Sequence, residues 1–173
     1  RPATVCGYAP RLRLDLVVNI MTNAAIMNHR IIVHGGDQKR PNIHIRDMVE
    51  AYLRLLEAPE PAVGGETFNV GGENMTLREI AETIRATVKE SDIAIAEESS
   101  NDPRSYHISS KKLRARLGWA PKLSVSAAVA DLHSAYRAGK VPDSLTDIRY
   151  SNIKTLQARP LAVSAMPEIE EWK

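Results

Sequence analysis

The chain has 173 residues, of which 43% are hydrophobic, 25% charged and 5% aromatic, the profile of one soluble globular unit at roughly half the length that a complete dinucleotide fold with a separate substrate domain requires. Nine glycines and ten prolines are too few for a collagen-like or Pro/Gly-rich disordered chain, and 23 basic against 21 acidic residues, scattered along the sequence for a net +2, argue against nucleic acid as a partner. The single cysteine excludes an internal disulfide and fits a reducing, cytoplasmic compartment, and no apolar run approaches the roughly 18 residues that a membrane span needs.

The sequence opens on Arg1 rather than Met, which reads as a cut inside a longer protein. Residues 1–7, with Thr4-Val5 at their centre and Gly7 at their end, predict a buried strand running into a loop around Pro10. Leu14, Val17, Val18, Met21 and Ala25 share one helical face, so a helix is expected from Asp15 to about Asn28, with an acid in its first turn. Residues 31–34 read as a strand stopped by Gly35-Gly36-Asp37, where positive φ is expected, and residues 37–42 as a polar loop. Ile45, Met48, Val49, Tyr52 and Leu56 predict a second amphipathic helix, begun by Asp47 in its first turn and stopped by Pro59 and Pro61.

A strand at 67–70 turns through Gly71-Gly72 into a T-x-x-E capping box, Thr76 to Glu79, ahead of Leu77, Ile80, Ala81, Ile84 and Val88. Short strands are expected at 93–96 and 106–108, with a polar stretch at 97–104 between them. Ser110 is the expected N-cap of a short helix that holds Leu113 and Leu117 and closes at Gly118. The last clear helix starts near Ser124, buries Val125, Ala128, Val129, Leu132 and Tyr136, and ends at Gly139; residues 140–173 read as an extension with little regular structure.

The five histidines show no metal-ligand spacing, so no metal is expected. Gly71-Gly72 lacks the G-x-G-x-x-G spacing of a phosphate loop and reads as a plain turn, and the sequon Asn74-Met75-Thr76 is better explained by the capping box. Tyr136 and Lys140 have the spacing of a catalytic Tyr-x-x-x-Lys pair, but Gly139 interrupts the helix that would align them. Cys6, inside a buried strand, reads as an inert small hydrophobe. Arg40 and Arg104 stand on loops, where two guanidinium groups suit a bidentate grip on a diphosphate, although ordinary solvated arginines are the commoner outcome of such a pattern.

Five segments, taken in order, resemble one family. Arg1-Pro2-Ala3-Thr4-Val5-Cys6-Gly7-Tyr8-Ala9-Pro10-Arg11 is similar to R-P-A-T-V-Y-G-x-S-P-R, and Arg40-Pro41-Asn42-Ile43-His44-Ile45-Arg46-Asp47 to R-x-x-I-H-V-x-D. Phe68-Asn69-Val70-Gly71 resembles F-N-V-G, Asp102-Pro103-Arg104-Ser105-Tyr106 resembles D-x-R-x-Y, and Leu117-Gly118-Trp119-Ala120-Pro121 resembles L-G-W-x-P. These are motifs of the NAD-dependent epimerase/dehydratase family, the extended short-chain dehydrogenases that act on nucleotide sugars. The resemblance covers residues 1 to about 138.

The resemblance implies an α/β fold: the C-terminal part of a Rossmann-type sheet plus the small α+β substrate-binding domain over residues 1–139, followed by the extension 140–173. In the family, the Gly-rich NAD loop and the catalytic Tyr-x-x-x-Lys pair precede the segment matching Arg1, so no catalytic residue is expected here and NAD belongs to the complete parent protein. Carried over by position, Thr4 would sit near the nicotinamide and the sugar, Arg40 would pair with the nucleotide diphosphate, and Arg104 would be a second phosphate contact. Asp15 replaces a frequent Asn near the phosphates and is expected to cap its helix instead; Cys6 replaces the Tyr of V-Y-G; His44 and Asp47 are expected to have packing roles. The implied partner is a nucleotide-diphosphate sugar, with no nucleic acid and no membrane, and a homodimer of the parent protein stays open. Two alternatives stand beside this reading: a noncatalytic binding or scaffold module of the same fold, and a reductase of a non-nucleotide ketone, which would have no use for two phosphate-facing arginines.

Overall fold

The computed structural model describes residues 1–89 and 92–158; the remainder of the expected extension, 159–173, lies outside the described residues. In chain order the elements are β1 (Thr4–Cys6), α1 (Val17–Asn28), β2 (Arg30–His34), β3 (Lys39–His44), α2 (Ile45–Glu57), α3 (Glu60–Val63), β4 (Asn74–Thr76), α4 (Leu77–Thr87), β5 (Ala94–Glu98), α5 (Lys111–Leu117), α6 (Val125–Arg137), a 3-10 turn (Ile148–Tyr150) and α7 (Asn152–Ala158). The apolar faces of α1, α4 and α6 meet one another and the inward side of β2: Val18, Ala25, Ile31, Val33, Ile80, Ile84, Ala128 and Val129 form one core. A second core joins Ile43, Met48, Ala51, Phe68, Val70, Leu113 and Trp119, and a third, smaller one joins Leu12, Leu14, Leu132, Ala135 and Val141.

Two sheets hold these layers. In the first, β1 runs parallel to β3, with Thr4 opposite Asn42 and Cys6 opposite His44, and β4 adds antiparallel on the far side of β3. In the second, β2 and β5 pair in parallel from Arg30 opposite Ala94 to His34 opposite Glu98. Parallel pairs need crossover connections, and helices supply them here, which gives the α/β character expected from the sequence.

The predicted capping box is present in both directions: Thr76 Oγ accepts from the Glu79 amide at 3.1 Å, and the Glu79 carboxylate accepts from the Thr76 amide at 2.7 Å. Gly35 and Gly36 have φ of +94° and +116°, as the tight turn requires. Ser124 caps α6 by accepting from the Ala127 amide.

Other expectations are corrected. Residues 37–42 are not all loop, because β3 begins at Lys39 and pairs with β4, a three-residue strand too short to show periodicity. At 67–70 the only pairing is a single parallel bridge between Pro2 and Val70, and 106–108 is no strand. Instead the Asn74 side chain stands in for a ladder, donating to the Ile108 carbonyl at 3.1 Å and accepting from the Ile108 amide at 2.9 Å. α1 starts at Val17 with Leu16 in the cap position and no acid in its first turn; Asp15 does not cap it but binds Arg13 and accepts from the Asn152 amide. Ser110 precedes α5 without capping it, its hydroxyl being engaged with the backbone of Gly71. α2 buries Met48 and Ala51 but leaves Val49, Tyr52, Leu53 and Leu56 exposed, so the face marked by apolar spacing is only partly covered. Within residues 140–158 the chain forms the 3-10 turn and α7; α7 buries no residue and is tied by polar contacts from Arg11 and Asp15, which leave no hydrophobic period to read.

Asp47 is the polar tie between layers. Its buried carboxylate accepts from the amides of Lys122 at 3.0 Å and Leu123 at 2.8 Å, fastening the segment before α6 to the first turn of α2. Asp47→Ala leaves both amides without a partner and is expected to lower the unfolding free energy by about 2 to 4 kcal/mol. Urea denaturation followed by circular dichroism measures the loss, and Asp47→Asn, which keeps one acceptor oxygen, should cost less.

Candidate functional site

Where β1 runs out into the 8–16 loop and meets the N-terminal ends of α1 and α2, the surface opens into a cavity of about 510 Å³. Thr4, Arg11, Arg13, Asn19, Met48 and Tyr52 are among its walls. The loop is set by Asn19, a buried residue of α1 whose side chain accepts from the Gly7 amide at 3.1 Å and donates to the Arg13 carbonyl at 2.8 Å. Gly7 holds φ of +101°, which L side chains rarely adopt, so the turn out of β1 needs glycine. Thr4 is thus presented by a short strand and a pinned turn. Arg11 closes the first family-like segment but Arg13 and Asn19 carry no motif; their signal in the sequence is a basic residue two positions after Arg11, just ahead of a helix.

Arg40 and Arg104 lie elsewhere, and neither lines that cavity. They come together on one carboxylate. Arg104 grips Asp102 through two parallel hydrogen bonds, Nε to Oδ1 at 2.7 Å and an Nη to Oδ2 at 2.8 Å, while an Arg40 Nη reaches Oδ2 at 3.3 Å. Arg40 also donates to the carbonyls of Lys39 and Arg104, and its guanidinium lies 5.3 Å from the centre of the Tyr106 ring. Only 13% of the Arg40 side chain is exposed against 76% for Arg104, so the first is packed and the second lies largely in solvent. Arg104 beside it, and then the nearby Arg40 charge, hold the Asp102 carboxyl down at about 2. Further contacts zip this loop to β3: Gln38 donates to the Asp102 carbonyl, the Lys39 amide to the Ser105 hydroxyl, and the Tyr106 amide to the Lys39 carbonyl.

The remaining chemical candidates are structural. Cys6 is buried and its thiol is pushed up to about 12 by burial, the opposite of a reactive thiolate. Tyr136 donates to Asn23 at 2.6 Å and burial pushes its phenol up to about 12; α6 ends at Arg137, so Lys140 does not follow it on a helix. A second Tyr-x-x-x-Lys spacing, Tyr150 to Lys154, fails for the same reason: Tyr150 ends the 3-10 turn, Ser151 is extended, and the Tyr150 hydroxyl donates to the Pro142 carbonyl. The amides of Gly35, Gly36, Gly71 and Gly72 are all occupied, by Glu98, Gln38, Ser110 and Asn42, so none of these glycine turns offers free N–H groups to a phosphate. Among the described residues no cluster of three or more His, Cys, Asp or Glu could hold a metal, and no helix is long and apolar enough to cross a membrane.

The segment from Arg40 to Asp47 thus runs along β3 into α2 with a buried histidine at the junction, in a parallel pair with β1. Residues 1–71, which span that pair, match the model of the NAD dependent epimerase/dehydratase family. Over these residues the chain resembles that family. UDP-glucuronic acid decarboxylase 3 of Arabidopsis thaliana is 30% identical over 125 residues, covering 68% of this chain and 35% of that protein. The dTDP-D-glucose 4,6-dehydratase of Mus musculus is 30% identical over 127 residues, covering 67% and 34%. The fold is also that of the epimerase/dehydratase UDP-glucuronic acid 4-epimerase from Bacillus cereus, solved with UDP-glucuronic acid and NAD: TM-score 0.66, 21% identity, 80% of this chain and 44% of that one. The chain therefore spans about a third of the length of these curated relatives and under half of that solved chain.

Two positions of the family motif have assigned jobs here. Asp47 is the interlayer tie, and His44 caps α2. The Nδ1 of His44 accepts from the Arg46 amide at 3.1 Å, which assigns the proton of the neutral ring to Nε2, 3.3 Å from the Asp131 carboxylate. Burial lowers its pKa; the Arg46 charge acts with burial, and the Asp131 and Asp47 charges oppose it. A histidine depressed in the folded state binds its proton more readily when unfolded, so its contribution is present above the ordinary value of about 6.5 and is lost as pH falls through that region. Urea midpoints of the wild type should decline from pH 7.5 to 5.5, and His44→Gln, which keeps an acceptor and a donor, should flatten that slope.

Proposed function

We propose that this chain is the nucleotide-sugar-binding part of an NAD-dependent sugar epimerase/dehydratase, in which Arg40 and Arg104 hold the nucleotide diphosphate and Thr4 faces the sugar. The observation that carries the reading is the convergence of two arginines 64 residues apart in sequence on a single carboxylate, which puts two guanidinium forks at one place where a doubly charged group could exchange for Asp102. Arg suits that task better than Lys because its planar donors match phosphate oxygens in pairs. The names of the relatives support the substrate class, since they are proteins of UDP- and dTDP-sugars. NAD is the cofactor of this reading.

The chain's part is to bind and orient. The described glycine turns do not fit the dinucleotide's phosphates, because their amides are already bonded, so no step through the cofactor is derived from these residues. Neither Tyr-x-x-x-Lys spacing is arranged to yield a tyrosinate. Contacts remote from the reacting carbon still matter, because a gripped diphosphate fixes the sugar's position and converts binding energy into orientation. The Arg40 end of β3 and the Thr4 cavity are separate surfaces, consistent with an extended ligand whose two ends are held by different elements. The exposed stripe of α2, Val49, Tyr52, Leu53 and Leu56, has the apolar character of a face that the rest of a complete epimerase/dehydratase fold would cover. Single buried Cys6 agrees with a cytoplasmic setting.

The test is titration calorimetry with UDP. Arg40→Ala should weaken binding on the order of tenfold or more, since a packed, charge-assisted contact is lost. Arg104→Ala should cost about threefold, as befits an exposed partner. Arg40→Lys should behave more like alanine than like arginine. Binding that is absent in the wild type, or equal in all four proteins, would sink the diphosphate assignment.

A further inference from the structure

Arg40 cannot meet an outside anion in the arrangement just described. One of its Nη atoms is committed to the carbonyls of Lys39 and Arg104, the other reaches Asp102, and the Tyr106 ring lies beside the guanidinium. The Nε edge of Arg104 is likewise taken by both oxygens of Asp102. One carboxylate therefore sits in the position between two forks that phosphate oxygens would need, and it leaves the cluster with a single residual positive charge. The same residue holds its own loop in shape, because Asp102 Oδ1 accepts from the Arg104 amide at 3.1 Å.

Resting on the diphosphate reading above, we propose that Asp102 is an internal competitor for the anion site: its carboxylate occupies the donors of Arg40 and Arg104 until a diphosphate displaces it. Binding is then an exchange rather than an addition. Phosphate oxygens replace carboxylate oxygens on the two guanidinium groups, Asp102 turns to water, and the 102–106 loop loosens from Lys39 because the Arg40 bond to the Arg104 carbonyl is disturbed with it. No covalent bond changes. The exchange favours a diphosphate over a single phosphate or a carboxylate, because two phosphoryl groups carry oxygens enough to satisfy both guanidinium forks at once, where a single group must be shared between them as Asp102 is. Asp102 thereby sets a threshold that a sugar monophosphate or a simple carboxylate does not pass, and it halves the charge of two neighbouring guanidinium groups when the site is empty.

The experiment compares wild type, Asp102→Asn, Asp102→Glu, Arg40→Ala and Arg104→Ala by titration calorimetry with three probes, UDP, inorganic pyrophosphate and UMP, at low and high salt. Removing the competitor's charge should tighten binding of UDP and pyrophosphate by about twofold to fivefold at low salt, the size of an exposed ion-pair effect, and the gain should shrink as salt rises. Asp102→Glu should stay near wild type. Monophosphate binding should gain more from Asp102→Asn than diphosphate binding does, which a purely structural role would not produce. In the wild type, hydrogen exchange at the Arg104 and Tyr106 amides should quicken when UDP is added. Should Asp102→Asn bind more weakly than wild type or equally well, while Arg40→Ala and Arg104→Ala lose affinity, the competitor is refuted and the diphosphate site stands. Should neither arginine matter, both ideas fall together. A thermal melt of Asp102→Asn separates a misfolded variant from a weak binder; if it fails to fold, equal UDP affinity in Asp102→Glu and in Asp102→Ser would refute the proposal.

Discussion

The stretch from Arg40 to Asp47 reaches in four directions, and the placement of the other layers follows from what it holds. Its backbone pairs with β1 on one side and β4 on the other. The Asn42 carbonyl accepts from the Gly72 amide and the Asn42 amide donates to Glu73, fixing the turn before β4. His44 caps α2 while reaching Asp131 of α6, and Asp47 holds the two amides that lead into α6. Arg40, at the other end, gathers the 102–106 loop. A buried polar group is costly unless it is paired, so each of these side chains is tolerated in the interior only because its partner is in place, which makes the segment a mutual constraint among strands, helices and loop.

That constraint explains what could be read in the sequence. Long helices showed themselves through apolar spacing, and the Thr76 to Glu79 box and the Gly35-Gly36 turn were legible because each depends on neighbours in sequence. β4 and the 106–108 segment were not, since three residues carry no period and their pairing is decided by partners far along the chain. Val49, Tyr52 and Leu56 illustrate a different limit. Their spacing marks an apolar face correctly, but spacing does not say what covers it, and in this chain the inward side of α2 is Met48 and Ala51. Residues 152–158 were invisible for the opposite reason, because α7 is anchored by Arg11 and Asp15 rather than by buried side chains.

The site shows the same division. Arg40 and Arg104 were selected by residue type, loop position and resemblance, and the structure brings them to one carboxylate. Their separation from the Thr4 cavity was beyond a motif's reach, because the motif gives order along the chain and not direction in space. Asp102 stands in the same D-x-R-x-Y segment as Arg104, which gives its carboxylate no task of its own. A carboxylate beside an arginine in sequence is usually a solvated neighbour, and only the three-dimensional meeting with Arg40 gives it a second task.

Asn74 shows how narrow such an arrangement leaves the choice of residue. It gives and takes a hydrogen bond with the same distant residue, Ile108, as a strand's own backbone would. Aspartate has no donor to offer, serine is too short to span both groups, and glutamine places its amide one carbon too far out. The position is therefore not interchangeable with its chemical neighbours, and the far anchor of the loop that carries Arg104 is written in a single side chain rather than spread along a sheet.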